Sequence, residues 1–210
     1  MSTDKNIRIP QQARSIEKKK RIVDAAMELF GEKGFDGTNA KAIAKNAGVS
    51  VGTFYAYFKD KKALLMDILG QHMADVDQSV FQDLEKMIRD GASGREIIRQ
   101  AVTLGAATHN HSPGLMRVML ALRYTDEDMA RFSEAENEAL IGKLTVLFEA
   151  MRERLRVTDM EAAAHVVGNA FEETMHSVVI LESKVEKERL FDALTDMAAT
   201  YLFKNPDAKA

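Results

Sequence analysis

The most chemically suggestive stretch of the chain runs from residue 38 to residue 61. It opens with Thr38, Asn39 and Lys41, continues through Ser50-Val51-Gly52-Thr53, and closes with Tyr55, Tyr57 and Lys61. None of these is a nucleophile with a base beside it. They offer recognition instead: short hydroxyls and methyls, a glycine with no bulk, two phenols and two ammonium groups. Val51 and Thr53 suit the methyl and hydrogen-bonding edges that bases present in a major groove. Phenols and lysines suit phosphate oxygens. Lys61 also stands at a helix start, where free N–H groups favour an anion. The phenyl groups between them, Phe54 and Phe58, read as core.

A second grouping lies far along the chain. His165, Asn169, Glu172 and His176 recur at intervals of four, three and four, a polar stripe on an otherwise apolar helix. Three placements stay open for it: solvent, a ligand pocket, or a subunit interface. Glu173-Thr174-Met175-His176 has the Glu-x-x-His spacing of di-iron bundles, which also need a second such pair. No other histidine has a glutamate three residues before it, so no metal is expected. His109-Asn110-His111 reads as a loop at a helix end. The chain has no cysteine, which excludes disulfides, thiol catalysis and cysteine-bound zinc. With no phosphate loop and no nucleophile–base pair, no enzyme and no cofactor are expected.

The elements that must position these residues are helices. The three prolines, Pro10, Pro113 and Pro206, leave long interiors uninterrupted, and no strand-like alternation appears. Ile22, Val23, Ala26, Met27, Leu29 and Phe30 keep helical spacing from Ser15 to Lys33, with Gly34 as a C-cap. A short helix carrying Ala40, Ile43, Ala44 and Ala47 follows Thr38 or Asn39 and stops at Gly48. Ser50 caps a helix of about two turns through Tyr57, and Asp60 caps a long one reaching Arg89. Further starts fall at Ser93-x-x-Glu96, Ser112-Pro113, Thr125 to Asp128 and Thr158-x-x-Glu161. The seventh helix is expected to end near Arg156, and the last to run from Val185 to Phe203. The expected fold is all-α with about nine helices. Two short helices joined at Gly48 are the ingredients of a helix-turn-helix, whose second helix enters the major groove by its N-terminal residues.

Charge agrees. Net charge is −3 over 210 residues, but it is unevenly spread. Residues 1–62 hold 13 basic and 7 acidic side chains, net +6; residues 63–210 hold 16 and 25, net −9. A basic front and an acidic rear suit a polyanion at the front alone. The expected organisation is a flexible arm (1–14), a helix-turn-helix domain (15–62) and a helical regulatory and dimerisation domain (63–210).

Residues 15–65 resemble the N-terminal domain of the TetR family of bacterial transcriptional regulators. The resemblance rests on Ala26 to Phe30, Gly34 to Thr38 and the run from Ile43 to Leu64, with its glycines, Ser50, Tyr55, Tyr57, Phe58 and Lys61 in place. By that resemblance Lys41 matches a base-contacting position, and Thr38, Tyr55, Tyr57 and Lys61 match phosphate contacts. Asn39 departs from the usual Ser or Thr, and Ala42 from the usual Asp or Glu.

The resemblance implies a double-stranded DNA operator, a homodimer, and a small-molecule effector held by the rear helices. Leu190, Leu194, Met197, Ala198 and Tyr201 form the stripe expected to pair subunits. Met116, Met119, Arg123, Tyr124, Phe148, Met151, Phe171, Glu172, Met175 and His176 are the expected pocket residues, methionine being suited to irregular apolar walls. The implied function is a repressor released from its operator by the effector, with the long fourth helix as lever. The alternative is a DNA-binding dimer regulated by a protein partner. No apolar run approaches the roughly 18 residues of a membrane span, and the polar start has no signal-peptide core. A cytoplasmic protein without membrane association is expected.

Overall fold

A computed structural model describes residues 8–111, 113–181 and 183–210; side chains are described for 14–74, 80–109, 113–181 and 183–210. Residues 1–7 of the expected arm and the expected cap Ser112 lie outside the described residues. Among those described, the chain forms nine α-helices: α1 (Arg8–Lys33), α2 (Ala40–Asn46), α3 (Val51–Tyr57), α4 (Lys61–Arg89), α5 (Gly94–His111), α6 (Pro113–Arg123), α7 (Glu127–Ala150), α8 (Met160–Met175) and α9 (Lys187–Leu202). A 3-10 turn at Arg152–Arg154 follows α7, and a π-helical turn at His176–Ile180 follows α8. The described residues contain no strand, only an isolated bridge between Leu155 and Phe203. The chain forms two compact units that divide between His72 and Met73, within α4.

In the first unit α1 buries Ile22, Ala26, Leu29 and Phe30, the residues that share its apolar stripe. Ile43, Ala44 and Ala47 of α2, Phe54 of α3, Phe58, and Leu64, Leu65, Ile68 and Leu69 of α4 complete the core. Small residues on α2 let its neighbours come close. Asn39 is extended and accepts from the Ala42 N–H at 3.0 Å, capping α2. Ser50 does the same for α3, accepting from Thr53 N–H at 3.0 Å. Gly34 and Gly48 take φ of 69° and 63°, a left-handed backbone that side chains resist. These two positions end α1 and make the turn between α2 and α3.

The first helix begins at Arg8, seven residues ahead of the expected Ser15. Pro10 does not prevent this, because it falls in the first turn, where the N–H would have no helical partner.

In the second unit α7 packs on α8 and α5 on α9 around one core, which includes Ile97, Val102, Ile141, Phe148, Ala163, Ala164, Val167, Leu194, Ala198 and Leu202. The seventh helix stops at Ala150, short of the expected Arg156. Leu155 is 2% exposed and Phe203 1%, and burying both turns the backbone away from helix. Arg156 N–H then donates to Leu202 O at 2.8 Å, and Lys204 N–H to Arg154 O at 3.0 Å, replacing the helical bonds lost. The eighth helix is capped by Asp159, which accepts from Ala162 N–H at 2.9 Å, rather than by Thr158. Ser93 and Glu96 form the expected reciprocal pair at the start of α5: Ser93 N–H donates to Glu96 Oε2 at 2.8 Å, and Glu96 N–H to Ser93 Oγ at 3.3 Å.

Candidate functional site

The first turn of α3 carries the free surface that the sequence expects. Val51 is 39% exposed and Tyr55 56%. A Cβ built on Gly52 would meet nothing closer than Ser50 Oγ, at 3.8 Å. Nothing inside the fold therefore requires glycine there, and the missing side chain lies on the outer surface. Ser50 Oγ and Thr53 Oγ1 lie 2.9 Å apart and share a hydrogen bond, which fixes both hydroxyls at the helix start. Phe54 is fully buried behind them and holds the face in place. Lys41 is exposed in the first turn of α2; Lys45 in its last turn and Lys18, Lys20 and Arg21 on α1 are exposed too. These cations, on α1 and α2, give the first unit an exposed positive charge, the sequence-independent part of DNA affinity.

Three of the residues expected to meet phosphate have partners within the fold. Thr38 is 1% exposed, and its hydroxyl lies 2.8 Å from Gly34 O and 3.1 Å from Leu29 O, donating to the end of α1. Buried so, its side chain leaves the phosphate set. Lys61 Nζ donates to Phe35 O at 2.7 Å and Thr38 O at 2.9 Å, and lies 4.1 Å from the centre of the Phe35 ring. The ammonium donates to two carbonyls of the turn after α1, one of which also accepts from Thr38 N–H at 3.2 Å, so it ties α4 to that turn. Tyr57 Oη donates to Ser15 O at 3.1 Å and pairs with Ser15 Oγ at 2.8 Å, fastening the end of α3 to α1. Among the aromatic hydroxyls only Tyr55 stands more than half exposed in this unit.

In the second unit the polar stripe of α8 divides. His165 and Asn169 are exposed, while Glu172 is partly buried and His176 is 6% exposed. An ideal helix would treat the four alike. They differ because α5 and α6 pack on the His176–Ile180 turn, where the His109 ring meets that of His176. His109, expected in a loop, belongs to α5 and meets that turn. Its Nδ1 lies 2.9 Å from Gly105 O, and its Nε2 lies 3.4 Å from Glu172 Oε2. His176 Nε2 lies 3.7 Å from the same oxygen, and its Nδ1 3.9 Å from Glu173 Oε2. His176 Nε2 is buried without a hydrogen-bond partner. Burial pushes the His176 imidazole below its ordinary value, against the charge of Glu172. Burial works the same way on His109, but Glu172 and the Gly105 carbonyl outweigh it and hold this imidazole above its ordinary value. Burial would raise Glu172, yet the hydrogen bond and charge of His109, with His176, bring it below the usual carboxylate range.

Comparison with known proteins bears on both units. Residues 22–68 match the model of bacterial regulatory proteins of the tetR family, and residues 95–202 match the tetracyclin repressor-like C-terminal domain. The chain belongs to the TetR family. This regulator binds DNA through its N-terminal helix-turn-helix. It is 26% identical over 187 residues to the fatty acid metabolism regulator protein of Bacillus subtilis (strain 168), which covers 84% of this chain and 91% of that one. It shares its fold with a putative TetR-family regulator from Mesorhizobium loti, at TM-score 0.74 and 21% identity, covering 90% and 98% of the two chains. It also shares its fold with FadR from Bacillus subtilis in complex with stearoyl-CoA, at TM-score 0.69 and 21% identity, covering 87% and 98%.

The regulator's expected pocket residues are scattered in environment. Met116 and Met175 are buried, Met119 and Phe171 partly so. Phe148 and Met151 are packed in the core beside Leu155 and Phe203. Tyr124 is 78% exposed, because α6 has already ended at Arg123, and it drops out of any pocket lining. Arg123, also exposed, lies with its guanidinium 5.7 Å from the Tyr124 ring centre.

The expected subunit stripe on α9 also divides. Leu194 and Ala198 are 6% and 1% exposed and pack inward, while Met197 and Tyr201 are 46% and 41% exposed and Leu190 is half-buried. The inward pair meets the regulator's own core, which claims the α9 face nearest α5 and α8. Val166, one of the apolar residues of α8, is 55% exposed beside His165, and its apolar neighbour Val167 is buried. No helix among the described residues is long and apolar enough to cross a membrane.

Proposed function

We propose that this TetR-family regulator is a homodimeric repressor that places α3 in the major groove of an operator and is released by an effector bound in its second unit. The observation that carries the DNA-reading part is Gly52. It lies on an outer surface beside exposed Val51, capped by Ser50, with no internal neighbour that needs the space. A backbone bare at that point can approach base edges closely, and a single module reads too few base pairs to find an operator alone. A second copy supplies the other half-site. The exposed apolar residues Val166, Met197 and Tyr201 on α8 and α9 support pairing through those helices.

For the effector, the supporting likeness is to the fatty acid metabolism regulator over most of both chains, and in fold to FadR holding stearoyl-CoA. The ligand class is an acyl thioester with a long apolar chain. Release works by population shift: a ligand that binds better to the state with recognition helices at the wrong spacing lowers DNA affinity by that preference. The long α4, shared by both units, is the lever.

The test is selection of bound fragments from the source genome, followed by fluorescence anisotropy on the selected site. The expected site is a palindrome with half-sites about one helical turn apart or a multiple of it. Stearoyl-CoA should release it and coenzyme A alone should not. A site without dyad symmetry contradicts the dimeric reading. Retention of DNA at saturating stearoyl-CoA contradicts the acyl effector.

A further inference from the structure

Three groups that carry lone pairs converge between α5 and the end of α8: His109, Glu172 and His176. Each offers one donor atom, and the three atoms lie within 4.8 Å of one another. We propose that these three side chains form a binding site for a divalent transition-metal cation of the zinc type.

Geometry supports this directly. Zinc binds imidazole nitrogen and carboxylate oxygen at about 2.0–2.2 Å in tetrahedral sites, which sets donor atoms about 3.4 Å apart. His109 Nε2 and Glu172 Oε2 are separated by 3.4 Å, and His176 Nε2 and the same oxygen by 3.7 Å. The two imidazoles, their donor atoms within 4.8 Å of one another, close on the ion by side-chain rotation. Two imidazoles and one carboxylate are also the donors that such cations prefer over calcium or magnesium.

Tautomer gives a second line of support. Gly105 O accepts from His109 at Nδ1, 2.9 Å away, leaving Nε2 directed at Glu172. A backbone carbonyl on the far nitrogen is the usual way a metal-binding imidazole is oriented. Glu172 cannot donate when ionised, so a proton on His109 Nε2 holds the pair at 3.4 Å in the metal-free chain, and a cation can take that proton's place.

A buried orphan gives the third. His176 is 6% exposed and its Nε2 has no hydrogen-bond partner. Buried nitrogens are nearly always satisfied, and one that is not needs a reason. A metal bond on Nε2 supplies it. Glu172 keeps a third of its side chain exposed, which leaves an entry path. Three protein ligands leave a fourth position open to water or to another donor. Arg123 adds positive charge nearby, but its side chain is exposed and water screens it. The carboxylate of this set is Glu172, not the Glu173 of the Glu-x-x-His spacing, and the second imidazole comes from a different helix.

The proposal is independent of the DNA-binding reading, and its test uses neither DNA nor an acyl ligand. Full-length protein is stripped with a chelator, dialysed and titrated with Co2+ alone while visible absorption is recorded. The expected result is one Co2+ per chain, with a visible band that Zn2+ abolishes by displacement. His109→Gln and His176→Gln should each lose the band; His165→Gln, on the exposed part of α8, should keep it. Circular dichroism checks that each variant is folded, and should His176→Gln unfold, His109→Gln decides alone. No stoichiometric Co2+ binding by the wild type, or a band that survives His109→Gln in folded protein, overturns the proposal.

Discussion

Gly105 and Phe171 are in direct contact: the Phe171 ring fills the space that a Cβ on Gly105 would need. The contact sets how closely α5 and α8 approach. His109 stands one helical turn beyond Gly105, and Glu172 directly follows Phe171, so the same close approach brings imidazole and carboxylate together. Gly105→Ala should overpack this crossing and destabilise the protein by ~1–3 kcal/mol. Gly105→Ala combined with Phe171→Leu should recover part of that loss. Urea unfolding of the wild type and the two variants checks it, and wild-type stability in Gly105→Ala would show that the crossing has slack.

Lys41 and Lys61 separate charge used for DNA from charge used for the fold. Lys41 is exposed, while the ammonium of Lys61 holds two backbone carbonyls. Lys41→Ala should leave thermal stability unchanged and lower the salt slope of DNA binding by about 1. Lys61→Met should cost ~1–2 kcal/mol of stability, since hydrogen bonds from a charged group are lost, and leave the salt slope unchanged. Salt titrations and thermal melts on both variants test the pair; the reverse assignment would contradict the geometry.

Acid should weaken the start of α5. The backbone N–H of Ser93, then its hydroxyl, hold the Glu96 carboxyl below its ordinary value against a smaller burial effect. A carboxyl depressed in the folded state stabilises above its unfolded value of about 4.3 and loses that contribution as pH falls through the folded value. The melting-point gap between wild type and Glu96→Gln should therefore be largest near neutral pH and close on acidification below that range. A gap that widens in acid would contradict the sign.

Pairing through α8 and α9 predicts that Met197→Asp combined with Tyr201→Asp weakens the dimer without unfolding the chain, because both side chains are already exposed in one subunit. Sedimentation should show monomer where the wild type is dimer, with DNA affinity reduced. An unchanged dimer would place the interface elsewhere.

Much of the first unit was legible because its information is local. Ser50 caps α3, Gly48 makes the turn, and Ile43, Ala44 and Phe54 share a face, each within a few residues. The roles of Thr38, Tyr57 and Lys61 were not legible, because their partners Leu29 and Ser15 on α1, and Phe35 in the turn after it, lie far along the chain. The His109–Glu172–His176 cluster failed to show for the same reason: periodicity describes one helix at a time, and the cluster exists only where two meet. The split of the α9 stripe, with Leu194 inside and Met197 outside, likewise depends on which neighbours cover which side.

The central claim is that the bare first turn of α3 reads DNA. Gly52→Leu tests it most directly, because a side chain there meets nothing in the fold. Operator affinity by fluorescence anisotropy, measured beside the thermal midpoint, should fall by at least tenfold while the midpoint holds or rises, glycine being a poor helix residue. Wild-type affinity in the folded Gly52→Leu protein would contradict the account.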